Sequence, residues 1–172
     1  MGSTDPKKVQ DTFQCGWFTE HANNEHDVPK CKSANKTECT YTITSNLTAS
    51  DLGGPCKSDG GCKMIIMEGH CHIGCLKMEM WIMDDPANPK LLCKTKVDYG
   101  KSDGGMDETG YIGGAETCIF GDPSQGYAAP IVLKPDTKIM SIQVQNSTNA
   151  RYGDMALWEL NAAYVTADDL AN

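Results

Sequence analysis

The sequence contains few aromatic side chains and no long apolar run. Only 7% of its 172 residues are Phe, Trp or Tyr, although 40% are hydrophobic. A core in this chain must therefore depend on aliphatic side chains, on the nine methionines and on cross-links. No stretch approaches the roughly 20 apolar residues that a helix needs to cross a bilayer, and we expect no membrane span.

Positive charge and the common catalytic signatures are also scarce. The net charge of −8 repels phosphate backbones and anionic lipids, which predicts that nucleic acid is not a partner. No Gly-x-Ser-x-Gly elbow, phosphate-binding loop or dinucleotide fingerprint occurs. Hydrolase and nucleotide-dependent functions therefore have no supporting motif. Residues 1–6 lack the apolar core of a signal peptide, so we expect either a mature chain or one with a short added start.

Cysteine, in contrast, is abundant. Nine cysteines occur and no two are spaced as Cys-x-x-Cys, which disfavours a zinc ribbon and favours disulfides formed in an oxidising compartment. The default is four bridges and one free thiol, with the connectivity left open. Three glycosylation sequons, at Asn35, Asn46 and Asn146, agree with that compartment. We therefore expect a secreted, extracellular glycoprotein.

Short β-forming runs separated by Gly and Pro turns fill most of the chain. They predict an all-β fold, an antiparallel jelly-roll-like β-sandwich stapled by disulfides, over residues 39–172. Residues 1–38 are polar and predict an irregular, Cys-containing N-terminal extension. The predicted strands cover residues 39–45, 63–72, 76–83, 91–97, 118–120, 130–133, 138–145 and 154–165. The second and third of these are expected to be either neighbours or one bent strand, and the third and fourth to form a hairpin.

A pair of histidines ends the predicted strand 63–72. Because side chains alternate along a strand, His70 and His72 should share one face while Cys71 points to the other. Two imidazoles on one face are a ready pair of ligands for copper, zinc, iron or nickel. For Cys71 we expect a buried half-cystine.

A strand with two histidines needs a third ligand from elsewhere. The candidates are His21 or His26, a thiolate, a carboxylate, or a thioether such as that of Met155 at the start of the last strand. His21 and His26 lie in a polar stretch, where solvated side chains are the favoured interpretation. Residue types alone also allow Met155 to be an ordinary core methionine.

Residues 61–172 resemble the C-terminal half of the ascorbate-dependent type II copper monooxygenases, which include peptidylglycine α-hydroxylating monooxygenase and dopamine β-monooxygenase. His70 and His72 match the His-x-His pair of the family, residues 78–97 match its hairpin, and Met155 in Tyr-Gly-Asp-Met matches its thioether ligand. The resemblance implies one copper ion bound by these three residues, at the copper where hydroxylation occurs. A thioether favours Cu(I), the state that meets O₂.

The chain departs from this family in its length. Family enzymes have a second, N-terminal domain with three histidines and a second copper, and only 60 residues precede the matching region here. A redox function would therefore require an external reductant or a partner chain. We expect a secreted single-copper protein with copper-binding or redox activity, conceivably a monooxygenase-like oxidoreductase. The alternative is an extracellular structural glycoprotein or filament subunit that reuses the fold for self-assembly.

Two other metal arrangements are open at this point. A His₂Cys-Met set that included Cys71 would make a blue-copper site, but it requires a kinked strand. The segment 98–116 is a loop with five acids, for which a solvated loop is favoured over a calcium site. Those acids are Asp98, Asp103, Asp107, Glu108 and Glu116.

Overall fold

The structure is a computed structural model that describes residues 12–15, 25–35, 39–102, 109–166 and 169. Strands dominate these residues, and the helices are short 3₁₀ turns that include Ala49–Leu52, Gly54–Lys57 and Pro123–Gln125. In chain order the strands are β1 (Thr12–Cys15), β2 (Glu25–Val28), β3 (Thr40–Thr48), β4 (Cys62–Cys71), β5 (Cys75–Ile82), β6 (Lys90–Tyr99), β7 (Ile112–Ala115), β8 (Thr117–Ile119), β9 (Val132–Leu133), β10 (Lys138–Asn146) and β11 (Arg151–Tyr164).

The strands form two antiparallel sheets. In the first sheet β11 and β4 lie side by side; β11 also pairs with β1 and β2, and β4 with β8 and β9. The second sheet has the order β3-β10-β5-β6-β7. The prediction of an all-β, disulfide-stapled sandwich is confirmed. Within the described ranges, no helix has the length and apolar character that crossing a bilayer requires.

The connection between β4 and β5 differs from both of its expected forms. β4 belongs to the first sheet and β5 to the second, so the two strands are neither paired neighbours nor one bent strand. The chain turns at His72, where the carbonyl accepts a hydrogen bond from the Cys75 amide, and at Gly74, which has a φ of +101°. Only glycine adopts that φ readily, and a β-carbon there would collide with the Arg151 guanidinium. The expected hairpin of β5 and β6 is confirmed.

The first 38 residues contribute two strands instead of irregular chain alone. β1 pairs with the end of β11, from Thr12 opposite Ala163 to Cys15 opposite Leu160, and β2 pairs with its beginning. Each strand has only four residues, too few for a polar segment to show a recognisable alternation. They form because β11 is long, with 14 residues, and offers backbone hydrogen bonds on the side away from β4.

The core between the sheets is built around methionines. Met64 and Met67 of β4 and Met78 and Met80 of β5 are all at most 1% exposed. Flexible thioether side chains fill an irregular interior well, which compensates for the scarcity of aromatic rings. A polar contact also joins the sheets, because the indole of Trp158 donates to the Ser141 hydroxyl at 2.8 Å.

Three disulfides cross-link the described residues, and two cysteines remain thiols. Cys93–Cys118 joins β6 of one sheet to β8 of the other; the other bridges are Cys31–Cys39 and Cys56–Cys62. Cys71 and Cys75 are free. The expectation of four bridges, and that of a half-cystine at Cys71, are therefore wrong for this structure. The cause is local, because these two cysteines face each other behind the β4–β5 turn and no other described cysteine faces them. The side chain of Cys15 lies outside the described residues.

The acidic segment 98–116 is described in part. Its second half forms β7, which pairs with the end of β6 from Val97 opposite Ala115 to Tyr99 opposite Ile112. Three of its acids, Asp103, Asp107 and Glu108, lie outside the described residues. The choice between a solvated loop and a calcium site stays a prediction.

Truncation of a core methionine tests how much the thioether interior contributes to stability. We expect Met67→Ala to lower the free energy of unfolding by about 2–5 kcal/mol, because it leaves a cavity between the sheets. Met67→Leu nearly conserves volume and should cost less than about 1.5 kcal/mol. Urea unfolding measures both, and equal losses for the two variants would contradict a tightly packed methionine core.

Candidate metal centre

The pairing of β4 with β11 fixes which residues share the face of the histidine pair. His70 lies opposite Leu157 and Cys71 opposite Ala156. Directly opposed residues point to the same side of a sheet and positions two apart along a strand do so as well. Met155 therefore lies on the same face as Leu157, and thus as His70. The opposite face carries Trp158, which reaches across the interior, so the histidine face is the outer face of the first sheet.

The two imidazoles are close to each other. The ring centroids of His70 and His72 lie 5.8 Å apart, with the ring planes at 73°. The side chain of His70 is 34% exposed, and its Nδ1 lies 3.8 Å from Oε1 of Glu159, which is on the same outer face. The 3.8 Å separation is longer than a hydrogen bond, so the interaction of this carboxylate with Nδ1 is electrostatic. Glu159 was not anticipated from the sequence.

Met155 is the last residue of β11 that pairs with β2, and the next residue, Ala156, begins the pairing with β4 opposite Cys71. Met155 is half-buried, and its partner in β2 is Glu25, a carboxylate on the same face. The sequence-predicted ligands His70, His72 and Met155 are therefore brought to one face and one end of the first sheet. Their convergence on a single ion stays a prediction.

His26 does not join this face. It pairs with Asp154, the neighbour of Met155, so its side chain points to the other side of the sheet. His26 also lines a surface cavity together with Glu25, Asp27, Tyr41 and Gly153. This position disfavours His26 as the third ligand. His21 lies outside the described residues.

Behind the histidine pair is a group of buried polar side chains that the sequence did not indicate. Asp154 is 2% exposed and neither of its carboxylate oxygens has a hydrogen-bond partner among the described residues. Burial raises the pKa of Asp154, although the nearby charges of His72 and Arg151 oppose this. Gln145 is fully buried, and its amide oxygen and nitrogen also lack partners in the described part of the chain.

The two free thiols belong to this buried group. Cys71 packs against the core from the inner side of β4, as alternation predicts, and Cys75 at the start of β5 is fully buried. A hydrogen bond with Cys75 and burial raise the pKa of the Cys71 thiol, and the charge of Asp154 raises it further. The inward position of Cys71 places it outside the histidine face, which disfavours a His₂Cys-Met site.

A tyrosine holds the turn that links the histidines to β5. The hydroxyl of Tyr99 donates to the Cys75 carbonyl at 2.7 Å and accepts from the Gly74 amide at 2.8 Å. Arg151 donates from its guanidinium to the Asn146 carbonyl on the other side of the same turn. The segment that carries His72 is thus held by the Tyr99 side chain, and the Asn146 amide also donates to the Gly74 carbonyl.

A cavity opens beside the candidate centre. It has a volume of about 260 Å³ and lies where β4 extends past the end of β8 and faces β7. His70 and Cys71 both line it, with Glu68, Val97 and Ile112. Such a volume is suitable for a small ligand beside the imidazole of His70.

No group of three or more His, Cys, Asp and Glu side chains within the described ranges is placed to hold a metal ion. The third ligand predicted from the sequence, the thioether of Met155, is of a different type. Among the sequons, Asn35 and Asn46 are exposed, while the side chain of Asn146 accepts hydrogen bonds from the amide and hydroxyl of Thr148. Glycosylation of the three stays a prediction.

Comparisons with family models and with curated proteins identify no family for this chain. No protein-family model matches the chain, and no curated protein matches it.

The burial of the Asp154 carboxylate predicts how the stability of the protein depends on pH. The pKa of Asp154 in the folded protein lies above the ordinary value of 3.8. At pH values between 3.8 and this raised pKa, the folded chain binds more protons than the unfolded chain. The free energy of unfolding therefore falls as the pH rises through this range. Asp154→Asn should therefore be more stable than the wild type at pH 7, and this advantage should disappear as the pH falls below 3.8.

Chemical denaturation at several pH values measures this effect. Asp85→Asn is the matched control, because hydrogen bonds from Asn88 and Ala87 lower the pKa of the exposed Asp85 carboxyl. That variant should gain no stability at pH 7. A wild type more stable than Asp154→Asn at pH 7 would mean that the charged carboxylate has a favourable partner.

Proposed function

We propose that this chain is a secreted protein that binds one copper ion through His70, His72 and Met155 and uses it in redox chemistry. The observation that carries the proposal is the β4–β11 register, which supports a common outer face for the three side chains. The 5.8 Å separation of the two imidazole rings supports it independently. Three cross-links agree with an oxidising compartment.

The donor set suits copper better than other metals. Imidazole binds both Cu(II) and Cu(I), and a thioether selects the softer Cu(I) over zinc, magnesium or calcium. Bound copper would supply one-electron redox chemistry, with a coordination position left open by three protein ligands. The Glu159 carboxylate lies beside Nδ1 of His70, and Tyr99 fixes the turn that carries His72. The cavity beside His70 would admit a small substrate, so a monooxygenase-like reaction is one form of this proposal.

An assembly function is the second candidate, and β3 is the feature that favours it. This strand has nine residues, four of them Thr, and among the described residues it pairs with β10 alone. An open edge of this length offers backbone hydrogen bonds to a strand of another copy. A sedimentation coefficient that rises with concentration would support assembly, whereas a constant monomeric value would contradict it. A glycan on Asn46, in the same strand, would block that edge.

Copper content is the direct test of the proposed site. The wild type should bind one equivalent of copper after dialysis, and the variant His70→Ala/His72→Ala should bind none, because both nitrogen ligands are removed. His26→Ala is the matched control and should retain the full equivalent, since His26 points to the other side of the sheet. Copper content that is unchanged in the double variant would remove the site.

Met155→Leu refines the same experiment. It should weaken Cu(I) binding about tenfold or more, which is about 1.4 kcal/mol, and change Cu(II) binding less. Competition with a Cu(I) chelator measures the affinity. Met140→Leu is the control, because Met140 is a half-buried methionine of the other sheet. Equal affinities in both variants would exclude the thioether as a ligand.

A further inference from the structure

Two thiols lie on the opposite side of the strand that carries the histidines. Six of the eight cysteines with described side chains form disulfides, and the remaining two, Cys71 and Cys75, are hydrogen-bonded to each other. A structural role as isolated core residues does not explain why both occur at the same turn. A pair of adjacent thiols has a chemistry of its own, because it can lose two electrons and two protons and become a disulfide.

The position of this pair relates it to the histidines through the backbone. Cys71 is covalently linked to both His70 and His72, and its side chain points inward while theirs point outward. Cys71 and His70 also line the same cavity of about 260 Å³. Cys75 closes the four-residue turn in which His72 lies, through the hydrogen bond from its amide to the His72 carbonyl.

The turn permits a disulfide between these thiols. β4 and β5 belong to different sheets, so no ladder of backbone hydrogen bonds fixes their separation. The intervening Gly74 has a φ of +101°, a conformation that other residues rarely adopt, and it brings the two cysteines together across the turn. A bridge between them would cross-link the two sheets at this turn.

We propose that Cys71 and Cys75 form a dithiol/disulfide couple that supplies electrons to copper bound at His70, His72 and Met155. The inference rests on the proposed function and names its electron donor. Cys71 is the residue between His70 and His72, so a two-electron donor lies beside the proposed site.

The electron balance of the step is complete. Two Cu(II) ions that occupy the single site in turn would each accept one electron and leave the site as Cu(I). The two S–H bonds of Cys71 and Cys75 break, one S–S bond forms, and two protons leave to solvent through the cavity that Cys71 lines. Hydroxylation of a C–H bond by O₂ likewise consumes two electrons and two protons per water formed. One dithiol therefore matches one turnover of a monooxygenase-like reaction.

An anaerobic titration of the full chain tests the proposal. Cys15→Ser serves as the background, so that only the Cys71 and Cys75 thiols are counted. Two equivalents of Cu(II) should yield two equivalents of Cu(I), measured with a Cu(I)-specific chromogenic chelator, and should remove both thiols. Peptide mapping by mass spectrometry should then find Cys71 linked to Cys75. Copper that stays Cu(II) on a protein that binds it would overturn the inference.

Two matched variants test which residues supply the electrons and which residues hold the copper. Cys71→Ser/Cys75→Ser should still bind one copper and should produce no Cu(I); Cys71→Ala/Cys75→Ala replaces it if the serine variant does not fold. His70→Ala/His72→Ala retains both thiols and should produce Cu(I) at least tenfold more slowly, because copper is no longer held beside them. Equal rates in that variant would overturn the proposal, as would a thiolate-to-Cu(II) charge-transfer band in the wild type, since the thiols would then be ligands.

A metal-free measurement separates the two possible failures. A small diazene oxidant should convert the thiols to the Cys71–Cys75 disulfide in the absence of copper. If that bridge forms and the wild type binds no copper, the proposed function fails while the redox pair stands. If copper binds and no bridge forms with either oxidant, the redox pair fails while the copper site stands.

Discussion

The pairing of β4 with β11 is the constraint on which the rest of this structure depends. It runs from Ala156 opposite Cys71 to Tyr164 opposite Cys62, at the centre of the first sheet. A slip of one residue would turn every side chain of β11 to the other face. Met155 would then face the interior and Trp158 would leave its hydrogen bond to Ser141. The core and the candidate copper site therefore depend on the same register, and neither can be changed without the other.

Because one strand serves both faces, the end of β4 combines two incompatible environments. The outer face has two imidazoles that are open to solvent and to a metal, and the inner face has thiols, a carboxylate and amides removed from water. A buried polar group without a partner costs about 1–3 kcal/mol. The unpartnered atoms of Asp154 and Gln145 therefore lower stability at this end of the sandwich, and the methionine core and the disulfides must offset that loss. Such a concentration of unfavourable burial beside a candidate site is typical of function.

Most of the sheet framework could be predicted from the sequence, since alternation and turn residues are local signals. The strand around His70, the hairpin of β5 and β6, and the inward position of Cys71 follow from a period of two along the chain. The assignment of β4 and β5 to different sheets could not be predicted, because alternation gives the faces of a strand and not its neighbours. β1 and β2 were not predicted, because their own composition does not indicate strands. They form by pairing with β11, which is distant in sequence.

The same distinction between local and long-range signals applies to the candidate site. His70 and His72 were recognisable because two ligands at strand spacing occur in one short segment. Glu159, Asp154 and the pairing of the two thiols were not, because each depends on contacts between segments far apart or across a turn of unknown direction. The cysteine count was misleading in addition, since an oxidising compartment argues for the largest number of bridges. Composition therefore predicts that these two cysteines are oxidised, whereas the structure keeps both as thiols beside three disulfides.

The proposed copper site and the proposed redox pair would also restrict each other kinetically. A dithiol holds two electrons, so it can sustain one two-electron event and must then be reduced again. The buried sulfur of Cys75 is out of reach of a bulky thiol, and Cys71, which lines the cavity, is the sulfur that a reductant would attack. A reductant would therefore enter by the cavity that a substrate uses beside His70. Reduction and substrate binding would then exclude each other, and they would have to alternate in any catalytic cycle at this site.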